Sequence, residues 1–113
     1  MPFLLVFLGS GFGGVLRYAL SQWLNGTYPL GTFAANVLGC FLIGLLSHIL
    51  PTDNHSRFLL ITGFCGGFTT FSTFINENLL YMRSGQLLLV LAYTALSLIF
   101  GTLAAYLGMK ILN

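Results

Sequence analysis

The chain carries very little charge. Its 113 residues include four Lys or Arg and two Asp or Glu, so 5% are charged, against about 25% in an ordinary soluble domain. Six charged side chains cannot cover the surface of a soluble domain of this length, so the composition excludes that class and predicts a lipid bilayer as the solvent. The net charge of +2 is too small to indicate a nucleic-acid partner.

Cysteine and acidic residues are also scarce. Cys40 and Cys65 both fall inside apolar runs, which excludes a disulfide framework and a cysteine-rich zinc site. Glu77 is the only glutamate and follows an apolar run. Because the titratable residues show no nucleophile, base and orienting group at a recognisable spacing, we do not expect an enzyme.

Apolar residues dominate what is present, at 57% of the chain. A bilayer core about 30 Å thick is crossed by a helix of about 20 apolar residues. The hydropathy pattern predicts an all-α integral membrane protein, a single domain over residues 1–113 with four transmembrane helices at about 2–24, 30–50, 57–80 and 86–112. A cleaved signal peptide is the alternative for the first run, although no Lys or Arg precedes it.

Small residues recur four positions apart within these runs. Such spacing places them on one helix face, where they allow neighbouring helices to approach closely. The series are Gly9 and Gly13, Ser10 and Gly14, Ala35 and Gly39, Gly63 and Gly67, and Ser97, Gly101 and Ala105.

The positive charges give no preferred orientation. With four spans, Arg57 and Lys110 lie on one side of the membrane, and Arg83 and the nearer end of Arg17 lie on the other. Because a Lys and Arg bias normally sets orientation, the tie predicts insertion both ways up, and an antiparallel two-fold dimer would be the natural assembly. The alternative is that one residue sets orientation and the tie is accidental.

The third run is predicted to be a broken helix between Gly66 and Thr73. Two glycines followed by four hydroxyl residues in five positions weaken a helix, and a break at membrane depth is tolerated only inside protein. Such breaks expose carbonyls to cations and helix N-termini to anions. A continuous helix with its hydroxyls bonded to its own carbonyls is the alternative.

Several polar side chains lie inside the spans, and together they favour an anion over a cation. Asn36 offers two amide donors, Arg17 is a strong charge within a span, and no acidic residue lies in the middle of a run. Asn36 could instead be interhelical glue, and each Phe of the third run could be packing alone.

The combination of these motifs closely resembles the Fluc fluoride channels, also called the CrcB family, over essentially the full length. The motifs that carry the resemblance are residues 13–18 (GGVLRY), residues 29–32 (PLGT) followed by Asn36, Gly39, Phe41 and Gly44, and residues 66–74 (GGFTTFSTF).

The resemblance implies a dual-topology homodimer with two pores for the passive export of fluoride across the inner membrane of a prokaryote. Asn36 would face the pore, and Phe71 and Phe74 would present ring edges to the ion. Arg17 would lie near the vestibule. The remaining polar track would comprise Thr32, Ser72, Thr73, Tyr93 and Ser97, with Gly101 standing where some members have another serine.

The resemblance also implies a structural sodium ion at the dimer centre. The backbone carbonyls of Gly66 and Thr69 would bind it. Glu77 resembles a family acid near the helix end, and we assign it no role in conduction.

Two other classes of membrane protein are alternatives to a fluoride channel. Small multidrug exporters also use four helices in antiparallel pairs, but proton-coupled cation export needs a carboxylate in the membrane, and the first span has none. A non-conducting structural subunit would show no ion flux when purified.

Overall fold

The protein is a bundle of long helices. A computed structural model describes residues 2–50 and 55–111. Four helices in these ranges are long and apolar enough to cross a membrane, which confirms the predicted fold class. In chain order the elements are α1 (Pro2–Leu24), α2 (Leu30–Ile49), α3 (His55–Arg57), a π-helical segment (Phe58–Cys65), α4 (Gly66–Phe68), α5 (Phe71–Arg83) and α6 (Leu87–Lys110).

The third span is longer than the sequence predicts. It runs over His55–Arg83, because α5 continues until a turn at Gly85, whose φ of 76° suits glycine. Glu77 lies inside this span in both the predicted and the observed bounds. The second helix ends one residue early, at Ile49, and the predicted end of the fourth span at 112 lies outside the described residues.

The predicted break is present, but the glycines do not form it. Gly66 and Gly67 are helical, and the chain becomes extended at Thr69 (φ −84°, ψ 148°) and Thr70 (φ −149°, ψ 125°). Gly67 instead lets α1 pass close by, since a Cβ there would collide with the backbone of Ser10. The glycine pair therefore indicates a helix contact next to the break.

Backbone-to-backbone contacts organise the helices into two packed pairs. α1 packs on residues 58–68 of the third span, and α2 packs on α6. Gly9 meets the backbone of Leu59, and Gly44 meets the backbone of Ala105, so that a methyl group at either glycine would have no room. Gly9 lies on one predicted small-residue face and Ala105 on another, and both are close-packing surfaces here, whereas Gly44 lies outside the predicted series.

The helix α5 is attached differently from the others. Within the chain it packs mainly on α6, and many of its apolar side chains are exposed, including Phe71 at 74%. Because apolar packing against the rest of the chain is sparse, hydrogen bonds from α5 to the other elements carry much of its positioning.

Candidate functional site

Asn36 on α2 holds the break of the third span. Its Oδ1 accepts a hydrogen bond from the Thr70 N–H at 2.9 Å, and its Nδ2 donates to the Thr70 carbonyl at 3.5 Å. One amide side chain thereby pairs both backbone groups of an extended residue, which a membrane interior would otherwise leave unpaired. Asn36 therefore joins α2 to the break, and its second Nδ2 hydrogen can point elsewhere.

Thr70 starts the next helix. Its Oγ1 accepts from the Thr73 N–H at 3.4 Å and lies 3.2 Å from the Ser72 hydroxyl. A threonine hydroxyl that receives an early N–H of a helix is an N-cap, so α5 begins at Phe71. The first N–H groups of α5, and with them the positive end of its dipole, point toward the break.

The predicted sodium ligands lie at the same break. In a continuous helix the Gly66 carbonyl would accept from the Thr70 N–H, and the Thr69 carbonyl would accept from the Thr73 N–H. Both N–H groups bond to side chains instead, to Asn36 Oδ1 and Thr70 Oγ1. Both carbonyls are therefore released from the helical pattern.

A cavity of about 260 Å³ lies beside the break. It brings together side chains from α2, the third span and α6. Its lining comprises Asn36, Cys40, Thr69, Thr70, Phe71, Phe74, Ser97 and Leu98. The predicted pore residues Asn36, Phe71, Phe74 and Ser97 thus line one shared space, and Cys40 joins them although the sequence indicates no role for it.

The two phenylalanines occupy different environments. Their ring centroids lie 6.0 Å apart, yet Phe74 is 8% exposed and Phe71 is 74% exposed. The Phe74 ring also lies 4.8 Å from the Tyr93 ring, tilted by 60°. Phe74 is therefore fixed within the chain, whereas Phe71 faces outward from it.

Thr32 and Tyr93 form a second cluster around Glu77. The Glu77 carboxylate accepts hydrogen bonds from Thr32 Oγ1 at 2.7 Å, from Tyr93 OH at 2.8 Å and from Asn25 Nδ2 at 3.0 Å. Thr32 is fully buried, and the N-terminus of α2 beside it favours a negative charge. Three donors explain how a carboxylate lies inside a membrane span.

The sequence does not predict that Glu77 and Asn25 belong to this cluster. The sequence indicates a loop at Asn25, and it places Glu77 at the end of the span. The local pattern gives no cap signal, because four residues separate Asn25 from Leu30, where α2 begins, and the N-cap position is Pro29. Nothing in the sequence indicates the contact of Asn25 with a residue 52 positions away.

Two predicted residues have a buried polar atom with no hydrogen-bond partner in the part of the chain that the structure describes. Arg17 Nε and Ser97 Oγ are buried and have no hydrogen-bond partner among residues 2–50 and 55–111. Arg17 lies on α1 one turn beyond Gly13, which contacts Phe64 and Phe68, and it does not line the cavity at the break. Ser72 is exposed and bonds to Thr70.

Comparisons with known proteins identify the family. A family model described as CrcB-like protein, Camphor Resistance (CrcB), matches residues 4–109. A protein of Gloeothece citriformis named "Fluoride-specific ion channel FluC" is 41% identical in an alignment of 120 positions that covers 100% of this chain and 98% of the relative.

Two further relatives carry the same name. That of Phocaeicola vulgatus is 47% identical and covers 93% of each chain. That of Flavobacterium psychrophilum is 42% identical over 92% of this chain and 90% of the relative. With a family model matching nearly the whole sequence and relatives well above 30% identity, the chain belongs to the CrcB-like family.

Proposed function

We propose that this protein is a fluoride channel of the cell membrane, in bacteria the inner membrane, and that fluoride crosses it passively. The observation that carries the proposal is the cavity beside the break, where Asn36, Phe71, Phe74 and Ser97 meet. The curated relatives named as fluoride-specific channels support the choice of ion. A channel of this kind moves an ion and makes no bond, so the protein is not an enzyme.

The groups around the cavity suit a small anion. Fluoride gives up its hydration only where donors replace water. Such donors are Asn36 Nδ2, the α5 N-terminus and the Ser97 hydroxyl, which has no partner among the described residues. Phenylalanine ring edges add weaker positive potential. The Glu77 carboxylate, which a cation exporter would need free, is engaged by three donors.

The Thr32 and Tyr93 hydroxyls would form the continuation of the polar track, and Glu77, to which the sequence alone assigned no role in conduction, would hold both of them in place. The contact of the Tyr93 ring with Phe74 links this cluster to the cavity. Ser72 and Thr73 serve the track through the cap at Thr70, which points the helix N-terminus toward the ion. Arg17 would attract anions at the vestibule.

The conducting form would be an antiparallel homodimer in both membrane orientations. Phe71 is 74% exposed on one chain, and a second copy packed against it would complete the wall of each cavity. Two-fold symmetry then gives two pores. The balanced positive charges, two on each side, are compatible with insertion both ways up.

A sodium ion at the dimer centre would be held by the Gly66 and Thr69 carbonyls of both copies. Support comes from the release of these carbonyls by the bonds of Thr70 and Thr73 to side chains. Hard cations prefer oxygen ligands, and a fixed positive charge favours anions nearby. Fluoride flux should require the presence of sodium without being driven by a sodium gradient. Uphill fluoride movement driven by such a gradient would contradict the proposal.

An efflux assay tests the proposed function. Purified protein in liposomes should release fluoride much faster than chloride, and Phe71→Leu should reduce the fluoride rate by at least about ten-fold if its ring edge stabilises the ion by about 1.4 kcal/mol. Phe3→Leu is the matched control, because Phe3 is 92% exposed near the N-terminus and should leave the rate unchanged. Equal chloride and fluoride rates, or no flux from a monodisperse sample, would refute the function.

A further inference from the structure

Asn25 is the most connected polar side chain of the described residues that has no assigned role. It lies in the loop between α1 and α2. Its Oδ1 accepts from the Gly31 N–H at 2.6 Å and the Thr32 N–H at 3.2 Å. Its Nδ2 donates to Thr32 Oγ1 at 3.3 Å and to Glu77 Oε2 at 3.0 Å.

The oxygen and the nitrogen of this amide bind different elements. The oxygen caps the N-terminus of α2, since Gly31 and Thr32 are its second and third residues. The nitrogen holds a carboxylate on α5, a helix with sparse apolar packing to α2. Asn25 therefore couples the start of α2 to α5 through polar bonds rather than through packing.

Glu77 depends on this coupling for its orientation. Its Oε2 receives Asn25 and Thr32, and its Oε1 receives Tyr93. Without the Asn25 donor, Oε2 keeps only the Thr32 hydroxyl, and the carboxylate is held by two hydrogen bonds in place of three. A turn of the carboxylate would carry the Thr32 and Tyr93 hydroxyls with it, because each donates its hydrogen to Glu77.

We propose that Asn25 is a positioning residue for fluoride conduction: by donating to Glu77 while capping α2, it fixes the Thr32, Glu77 and Tyr93 cluster in one arrangement. The inference rests on the proposed function, since it assigns this cluster to the conducting pathway. Asn25 itself need not touch the ion.

The substitution Asn25→Asp separates the two ends of the amide. Aspartate keeps an oxygen for the Gly31 and Thr32 amides, but it replaces the donor to Glu77 with a second carboxylate. Fluoride efflux should fall by about ten-fold or more, because a charge-assisted hydrogen bond becomes a repulsion. Asn76→Asp, an exposed position on α5, adds the same charge near Glu77 and should keep the wild-type rate.

Rescue distinguishes positioning from a general structural effect. In Asn25→Asp/Glu77→Gln the donor and acceptor are exchanged, so the bond can re-form with its direction reversed. We expect Asn25→Asp to lower the fluoride efflux rate by at least about ten-fold when Glu77 is intact, and by less than about two-fold in the Glu77→Gln background. A double-mutant cycle measures this difference. An equal loss in both backgrounds, or no loss in either, would overturn the proposal.

Glu77→Gln alone could stop fluoride flux, and a second measurement then tests the proposal. This measurement is thermal unfolding in detergent of the wild type, Asn25→Asp, Glu77→Gln and the double variant. The melting temperature should then show the same coupling between positions 25 and 77, and additive changes would overturn the proposal. If the wild type releases no fluoride, the proposed function fails. The melting cycle still reports whether the Asn25 and Glu77 side chains interact.

Discussion

Replacing Asn36 by leucine should shift the break of the third span. Leucine removes the acceptor of the Thr70 N–H, which lies 2.9 Å from Asn36 Oδ1. The N–H then stays unpaired or returns to the Gly66 carbonyl, where a continuous helix would place it. In the first case the broken helix is destabilised by the unpaired group, and in the second the released carbonyl and the direction of the α5 N-terminus are lost.

The size of the effect follows from that one bond. Leaving a buried N–H unpaired costs about 1–3 kcal/mol, which changes a conformational equilibrium by about 5–150-fold. If only the broken helix conducts, the initial fluoride efflux rate from liposomes should fall by a factor in this range. Size-exclusion chromatography should show the same assembly as the wild type, because leucine suits an apolar helix.

Asn36→Asp tests how Asn36 acts. Aspartate still accepts from the Thr70 N–H, but it removes the amide donor and brings a negative charge to the cavity. Loss of flux in both variants indicates that Asn36 holds the break and also faces the anion; loss in the leucine variant alone indicates that it only holds the break. An Asn36→Leu protein that conducts at the wild-type rate would refute the reasoning.

Three further predictions address packing, accessibility and topology. Gly44→Ala should lower the unfolding free energy by about 1–3 kcal/mol, because the methyl group meets the Ala105 backbone; Gly11→Ala, with open space around it, should unfold at the wild-type temperature in a detergent melt. A small thiol reagent should slow fluoride efflux by modifying Cys40, which lines the cavity, but not Cys65, which is 0% exposed; inhibition that survives Cys40→Ser would contradict the cavity assignment. C-terminal reporters should show both orientations of the native chain, and two lysines added at the C-terminus should bias it to the cytoplasm and lower flux; signal from one side only in the native chain would rule out dual topology.

The four spans were predictable because each is decided by local hydropathy. The bilayer requires length and apolarity from every span separately, and both can be read along the chain without knowing its partners. The small residue at Gly9 was informative for the same reason, since close approach requires the absence of a side chain wherever the partner helix lies.

The break was predicted within the correct stretch, but for an incomplete reason. Gly66 and Gly67 weaken a helix in isolation, yet both are helical here. The interruption depends on Thr70, whose N–H bonds to Asn36 on another helix. The residues of the third span by themselves indicate a weak helix, but they do not indicate the side chain on α2 that pairs with the extended backbone.

The Glu77 cluster could not be predicted from the sequence for a related reason. Asn25, Thr32, Glu77 and Tyr93 come from a loop and three different helices, and their meeting depends on the rotation and vertical offset of those helices. Hydropathy fixes neither quantity. The short range of a hydrogen bond makes such a cluster sensitive to shifts of about 1 Å, so it becomes visible only in the assembled structure.

The pairing of Asn36 with Thr70 has a consequence for chimeric channels. The break of the third span is encoded in two separate segments, one of which supplies the extended backbone and the other its bonding partner. A third span transplanted into a host that lacks an amide at the position of Asn36 should become a continuous helix, whereas α2 and the third span moved together should keep the break. The two helices therefore form one unit of exchange, although the rest of α2 and a connecting segment separate Asn36 from the start of the third span in the sequence.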